Sequence, residues 1–118
     1  MKGYMPQQVE LWYVIPAIRK EFAKVMISKG MTQKQAAERL GITEAAVSQY
    51  MKNKRASDVD FDNRMKSEID ASVNHILAGS SVMKEMQNVC KLAKKRGIVC
   101  RISKKLGYAP KGCKECFG

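Results

Sequence analysis

Apolar residues along this chain recur mostly at intervals of three and four, the spacing of one helix face. Residues 6–15 open with proline and carry a dense run of Val9, Leu11, Trp12, Tyr13, Val14 and Ile15, which reads as a short helix or an extended arm. Pro16 separates that run from the next and suits a first helical turn, where its missing N–H costs little. A helix over residues 16–29 follows, with Ile15, Ile18, Phe22, Val25 and Met26 facing a core and Gly30 as its stop. Arg19, Lys20 and Lys24 fall largely elsewhere, on a solvated face. In residues 31–52, MTQKQAAERLGITEAAVSQYMK, two shorter helical runs meet at a glycine. Residues 58–78 place Val59, Phe61, Met65, Ile69, Val73, Ile76 and Leu77 at near-helical intervals, with Asp60 or Asp62 as the cap. Gly79, Ser80 and Ser81 break that pattern. Residues 82–96 resume it with Met83, Met86, Val89, Cys90 and Ala93 on one side, the methionines as core filler. A further short helix is expected over residues 98–106, then a glycine-containing tail.

The 31–52 stretch is the most informative. Thr32 and Thr43 each offer a hydroxyl to N–H groups left unpaired in a first turn. Ala36, Ala37 and Leu40 form the inner face of the first run; Val47, Tyr50 and Met51 supply that of the second. Gly41 stands where a helix end favours a left-handed residue, and Ile42 then points inward. Larger side chains than Ala37 and Val47 would push the two helices apart. Such a pair joined around a glycine is the helix-turn-helix pattern.

A reading helix of this kind meets base edges in the major groove with its N-terminal part. The candidates are Thr43, Glu44, Ala45, Ser48 and Gln49. Gln49 is suited to paired hydrogen bonds with adenine, Ser48 to donating or accepting, and Ala45 to a thymine methyl. The cationic turn Lys52, Asn53, Lys54 and Arg55 leaves the helix beside the backbone and is assigned to phosphate. One reading head spans few base pairs, so a homodimer on two half-sites about one DNA turn apart is expected.

Charge sharpens this picture. Lys and Arg outnumber Asp and Glu by 22 to 11 in the 118 residues, for a net charge of +11. That excess favours salt-sensitive association with polyanions, and beside the helix-turn-helix it points to double-stranded DNA. Apolar residues at 45% suffice for a core. No apolar run approaches the roughly 18–20 residues that cross a bilayer, and no signal-peptide pattern opens the chain. A cytoplasmic location and no membrane association are expected.

The run Thr-Gln, Ala-Ala, Leu-Gly-Ile-Thr, Ala-Val-Ser resembles the helix-turn-helix of λ-repressor and Cro-like (XRE-type) DNA-binding proteins. Residues 14–24, VIPAIRKEFAK, extend the likeness to a group of short, mainly archaeal transcriptional regulators with a cysteine-bearing tail. The resemblance implies an all-α, λ-repressor-like bundle with a helical C-terminal extension. It implies DNA-binding regulation, and a bracing or phosphate-binding role for Gln33. Glu44 replaces a glutamine common in that group; a carboxylate there is repelled by phosphate but accepts from cytosine N4.

All four cysteines, Cys90, Cys100, Cys113 and Cys116, lie in the last 29 residues. The terminal C-K-E-C is a chelating CxxC pair, and four thiolates suit a 4Fe–4S cluster or tetrahedral zinc. A thiol–disulfide switch is the third option, and neighbouring cations would help to stabilise thiolates. The regulators it resembles carry another cysteine three positions after the one matching Cys90, where this chain has Ala93. His75, the single histidine, has no other ligand near it in sequence and reads as an ordinary helix residue.

The domain organisation expected is an N-terminal arm and DNA-binding domain over residues 1–79 and a C-terminal sensor or dimerisation region over residues 80–118. The function expected is a dimeric, sequence-specific transcription regulator, with an iron–sulfur cluster sensing redox or iron status. The competing reading is a protein-interaction adaptor that keeps the fold, with a structural zinc or free-thiol tail. An enzyme is not expected, because the CxxC lacks the strand-containing context of a thioredoxin-like site.

Overall fold

A computed structural model describes residues 6–52, 59 and 61–105, and the described elements are all helical. The first three run without a break: α1 (Pro6–Val9), a π-helical turn (Glu10–Val14) and α2 (Ile15–Ser28). The sequence puts a boundary at Pro16; the structure widens the helix there instead. Proline lacks an N–H, and in a regular α-helix its ring would press on the carbonyl four residues earlier. Widening relieves that contact, and the Ile15 N–H donates to the Glu10 carbonyl, one residue further back than in an α-helix. The arm is thus helix.

The remaining helices are α3 (Gln33–Leu40), α4 (Glu44–Met51), α5 (Asn63–Leu77), α6 (Val82–Lys95) and α7 (Ile98–Lys105). Ile18, Phe22 and Met26 of α2 are fully buried and form the hub. Helices α3, α4, α5 and α6 all pack on α2, and α7 closes back against α1 and α6. Each such side chain contributes about 1.5–3 kcal/mol on burial. Val89, Ala93, Ile98 and Ile102 belong to the same buried cluster as Ala36, Val47 and Ile69.

Several faces differ from expectation. Lys20 is buried within α2 rather than solvated, and Arg19 is half-buried. Met51 and Leu77 end their helices and are exposed, beyond the reach of the packing seam. Met83 is 71% exposed and does not fill the core. The α5 helix starts after Asp62, whose carboxylate accepts from the Met65 N–H at 2.8 Å.

His75 proves more than a plain helix residue. Its Nδ1 lies 3.0 Å from Glu85 Oε1, while the Ser80 hydroxyl donates to Glu85 Oε2 at 2.8 Å. Glu85 is buried beneath the α5–α6 turn. The Ser80 hydrogen bond, then that from His75, hold its carboxyl below the usual value of 4.5.

Gly41 sits at φ 68° with nothing within 4 Å of an added Cβ, so Gly41→Ala meets only backbone strain. We expect a loss of about 1–2 kcal/mol in urea unfolding, and a smaller loss for Gly41→Asn. Glu85, with its depressed folded pKa, stabilises the protein above the unfolded value, and this contribution disappears as pH falls through the folded one. The wild type should exceed Glu85→Gln in urea midpoint at about pH 6, the gap narrowing below about pH 4.5.

Candidate nucleic-acid interface

The turn between α3 and α4 is built by local chemistry. At the start of α3 the Gln35 N–H donates to Thr32 Oγ1 at 3.1 Å, and the Thr32 N–H donates to Gln35 Oε1 at 2.9 Å. This reciprocal capping box satisfies two donors that a helix start leaves unpaired. At the other end Gly41 takes the left-handed conformation. Its N–H donates to the Glu38 carbonyl and the Ile42 N–H to that of Ala37, at 3.3 and 3.1 Å. That Schellman arrangement stops α3 and turns Ile42 back onto the core. Thr43 Oγ1 then accepts from the Ala46 N–H at 3.0 Å and starts α4.

These ends set the roll of α4. Ala46, Val47 and Tyr50 are buried, so the opposite face is given to solvent. Thr43, Glu44, Ala45, Gln49 and Lys52 are exposed there, with Ser48 half-buried at its edge. Thr43 already accepts through its hydroxyl oxygen and keeps its O–H to donate. Glu44 occupies the first turn, where a carboxylate complements the partial positive charge of a helix start. It therefore has a structural reason to be acidic besides any contact with a base. Gln33 is exposed in the first turn of α3. Lys34 beside it adds an exposed cation, for which its adjacency to Gln33 was the available signal. Asn53, Lys54 and Arg55 lie outside the described residues.

The cysteines are less fully placed. Cys90 is half-buried on α6, and burial, then the Glu10 carboxylate, push its thiol up to about 11, against a smaller opposite pull from Arg19. The expectation that neighbouring cations hold thiolates does not apply at Cys90: this thiol is neutral. Cys100 belongs to α7, its side chain outside the described set, and Cys113 and Cys116 lie beyond it. Among the described residues no three histidine, cysteine or acidic side chains gather as a metal site, and no helix is long and apolar enough to cross a membrane.

The comparisons agree with the geometry. Residues 22–61, about a third of the chain, match the family model described as helix-turn-helix. No curated protein and no solved structure matches the chain. The matched segment begins on the α2 hub, contains both short helices and ends at Phe61, which is the packing unit seen in the fold. Over residues 22–61 the chain carries an XRE-family helix-turn-helix, the reading head of a DNA-binding transcription regulator.

Proposed function

We propose that the protein is a sequence-specific regulator that docks α4 in the major groove as a homodimer. The observation that carries this reading is the division of α4 into a buried apolar face and an exposed face bearing Gln49, Glu44 and Ala45. Gln49 has the paired donor and acceptor that an adenine edge requires, and Lys52 supplies phosphate attraction at the helix end. Exposed Trp12 and Leu11 offer apolar surface to a second subunit. The C-terminal cysteines, in this proposal, assemble a 4Fe–4S sensor around the CxxC of Cys113 and Cys116, with Cys90 and Cys100 as the further ligands. Support for it comes from thiol chemistry and from the successive helices α6 and α7 that carry the latter pair.

Sites selected from a random DNA pool should be inverted repeats with half-site centres about 34 Å apart. Gln49→Ala should cost about 1–3 kcal/mol on the selected site and relax preference at one base pair. Lys52→Ala should weaken all sequences alike and lower the salt slope by about one. Undiminished affinity and preference in Gln49→Ala would remove α4 as the reading element; salt-insensitive or absent DNA binding would favour the adaptor reading.

The sensor has its own check. Protein purified without oxygen should absorb broadly near ~400 nm and contain iron and sulfide in cluster stoichiometry. A colourless protein with one zinc would make the tail a structural staple, and a metal-free one would remove the cofactor while leaving the DNA proposal untouched.

A further inference from the structure

The net charge of +11 is not spread evenly along the chain. Residues 31–81, which hold α3, α4 and α5, carry seven Lys and Arg against seven Asp and Glu, so the helix-turn-helix region is neutral overall. Residues 82–118 carry ten against two and account for +8 of the total. No acidic residue occurs between Glu85 and Glu115. The structure arranges this charge in two stripes. Lys91, Lys94 and Lys95 stand three and four apart on α6, and Arg101, Lys104 and Lys105 repeat that spacing on α7; all six are exposed. The two helices pack on each other. The ion pairs among the described residues, Lys29–Asp70 and His75–Glu85, include none of the six. Arg101 donates to the Arg96 carbonyl at 3.5 Å, a contact that does not neutralise its charge.

Helix stability does not account for these stripes. Lys94, Lys95, Lys104 and Lys105 lie in last turns, where cations complement the helix dipole. Lys91 and Arg101 stand a turn earlier, each four residues from a like charge that repels it. A polyanion relieves that repulsion, and the surroundings select which one. Ile98 and Ile102, the apolar side of α7, are buried in the core and withheld from lipid. Residues 82–105 contain no aromatic side chain on which an unpaired base could stack. Five of the six cations are lysines, compact point charges that attract phosphate whatever the sequence. The backbone of a duplex fits all three conditions, and the helix-turn-helix in the same chain makes that duplex DNA.

We propose that α6 and α7 form a second DNA-binding surface, which holds the phosphate backbone without reading sequence. Helix α7 packs on α1 and α6, whereas α4 packs on α2 and α3, so the two surfaces belong to different parts of the bundle. The C-terminal stripes supply salt-sensitive affinity for any duplex, and the neutral head supplies preference. The stripes bind whether or not α4 selects a sequence, so this proposal does not rest on the function proposed above.

Fluorescence anisotropy with a labelled DNA duplex of arbitrary sequence reads this surface in the full chain. Wild-type affinity should fall steeply with salt. Combining Lys94→Gln, Lys95→Gln, Lys104→Gln and Lys105→Gln should weaken binding by about tenfold or more and lower the salt slope by about three. Glutamine matches lysine in helix propensity, and thermal unfolding shows whether the variant is folded. Should it not fold, Lys104→Gln with Lys105→Gln decides, with a slope lower by about two. As a control, Lys24→Gln, Arg64→Gln, Lys66→Gln and Lys84→Gln together remove the same charge from exposed positions elsewhere and should lower the slope by less than about one. Gln49→Ala should leave binding of the arbitrary duplex unchanged, so failure of α4 as a reader and failure of this surface are separate results. Equal losses in the two fourfold variants overturn the proposal, because net charge alone then acts. Tighter binding of an RNA duplex of the same sequence, or of phosphatidylserine vesicles, overturns it as well.

Discussion

Two helices of eight residues have little stability of their own in water, where lengths below about 12–15 residues are marginal. The reading head therefore exists because its inner face is buried on α2. Phe22 and Met26 of α2 share one cluster with Ala36, Ala37, Leu40, Val47 and Tyr50. Alanine at 36 and 37 allows close approach, while Leu40, Val47 and Tyr50 are the larger buried side chains. This single packing arrangement fixes which side of α4 is left for recognition. Caps and turn then set where each helix begins and ends, at about 1 kcal/mol apiece.

The same hub serves the C-terminal helices. Val89 and Ala93 of α6, with Ile98 and Ile102 of α7, belong to the same buried cluster. The Ser80–Glu85–His75 hydrogen bonds tie the α5–α6 turn, so α6 is held at both its start and its buried face. Interiors packed to crystal-like density transmit displacement rather than absorb it. An event on α6 thus has a short physical route through α2 to α3 and α4. That route is what a sensor or ligand in the C-terminal half requires, whatever its chemistry.

Much of the fold was legible because its signals are local. Thr32, Gly41, Thr43 and Ser81 mark helix ends through hydrogen bonds spanning a few residues, and the structure uses each as expected. The exposed α4 residues followed from the inner face assigned to Val47 and Tyr50, although that face was also given Met51, which is exposed, and not Ala46, which is buried. What escaped depends on approach between distant elements. Periodicity gives the direction of Met83 around α6 but not whether another helix stands opposite; among the described residues Met83 stays exposed. Lys20 reads as solvated from its charge, yet it is buried. His75 and Glu85 are ten residues apart and meet only when the turn folds. Pro16 signals a break, but the π-helical alternative is visible only once the Ile15-to-Glu10 hydrogen bond is seen.

The four cysteines are not equivalent in this setting. Metal ligation takes a thiolate, and a thiol raised to about 11 must give up its proton against a half-buried, partly apolar wall. Glu10 adds to that barrier, and Arg19 offsets only part of it. Cys90 is therefore an unfavourable first ligand at neutral pH. The CxxC spacing of Cys113 and Cys116 is one that suits two thiolates to a single cation. Under the sensor proposal, Cys90 would join a cluster only where the metal's own charge outweighs the burial that keeps its thiol protonated.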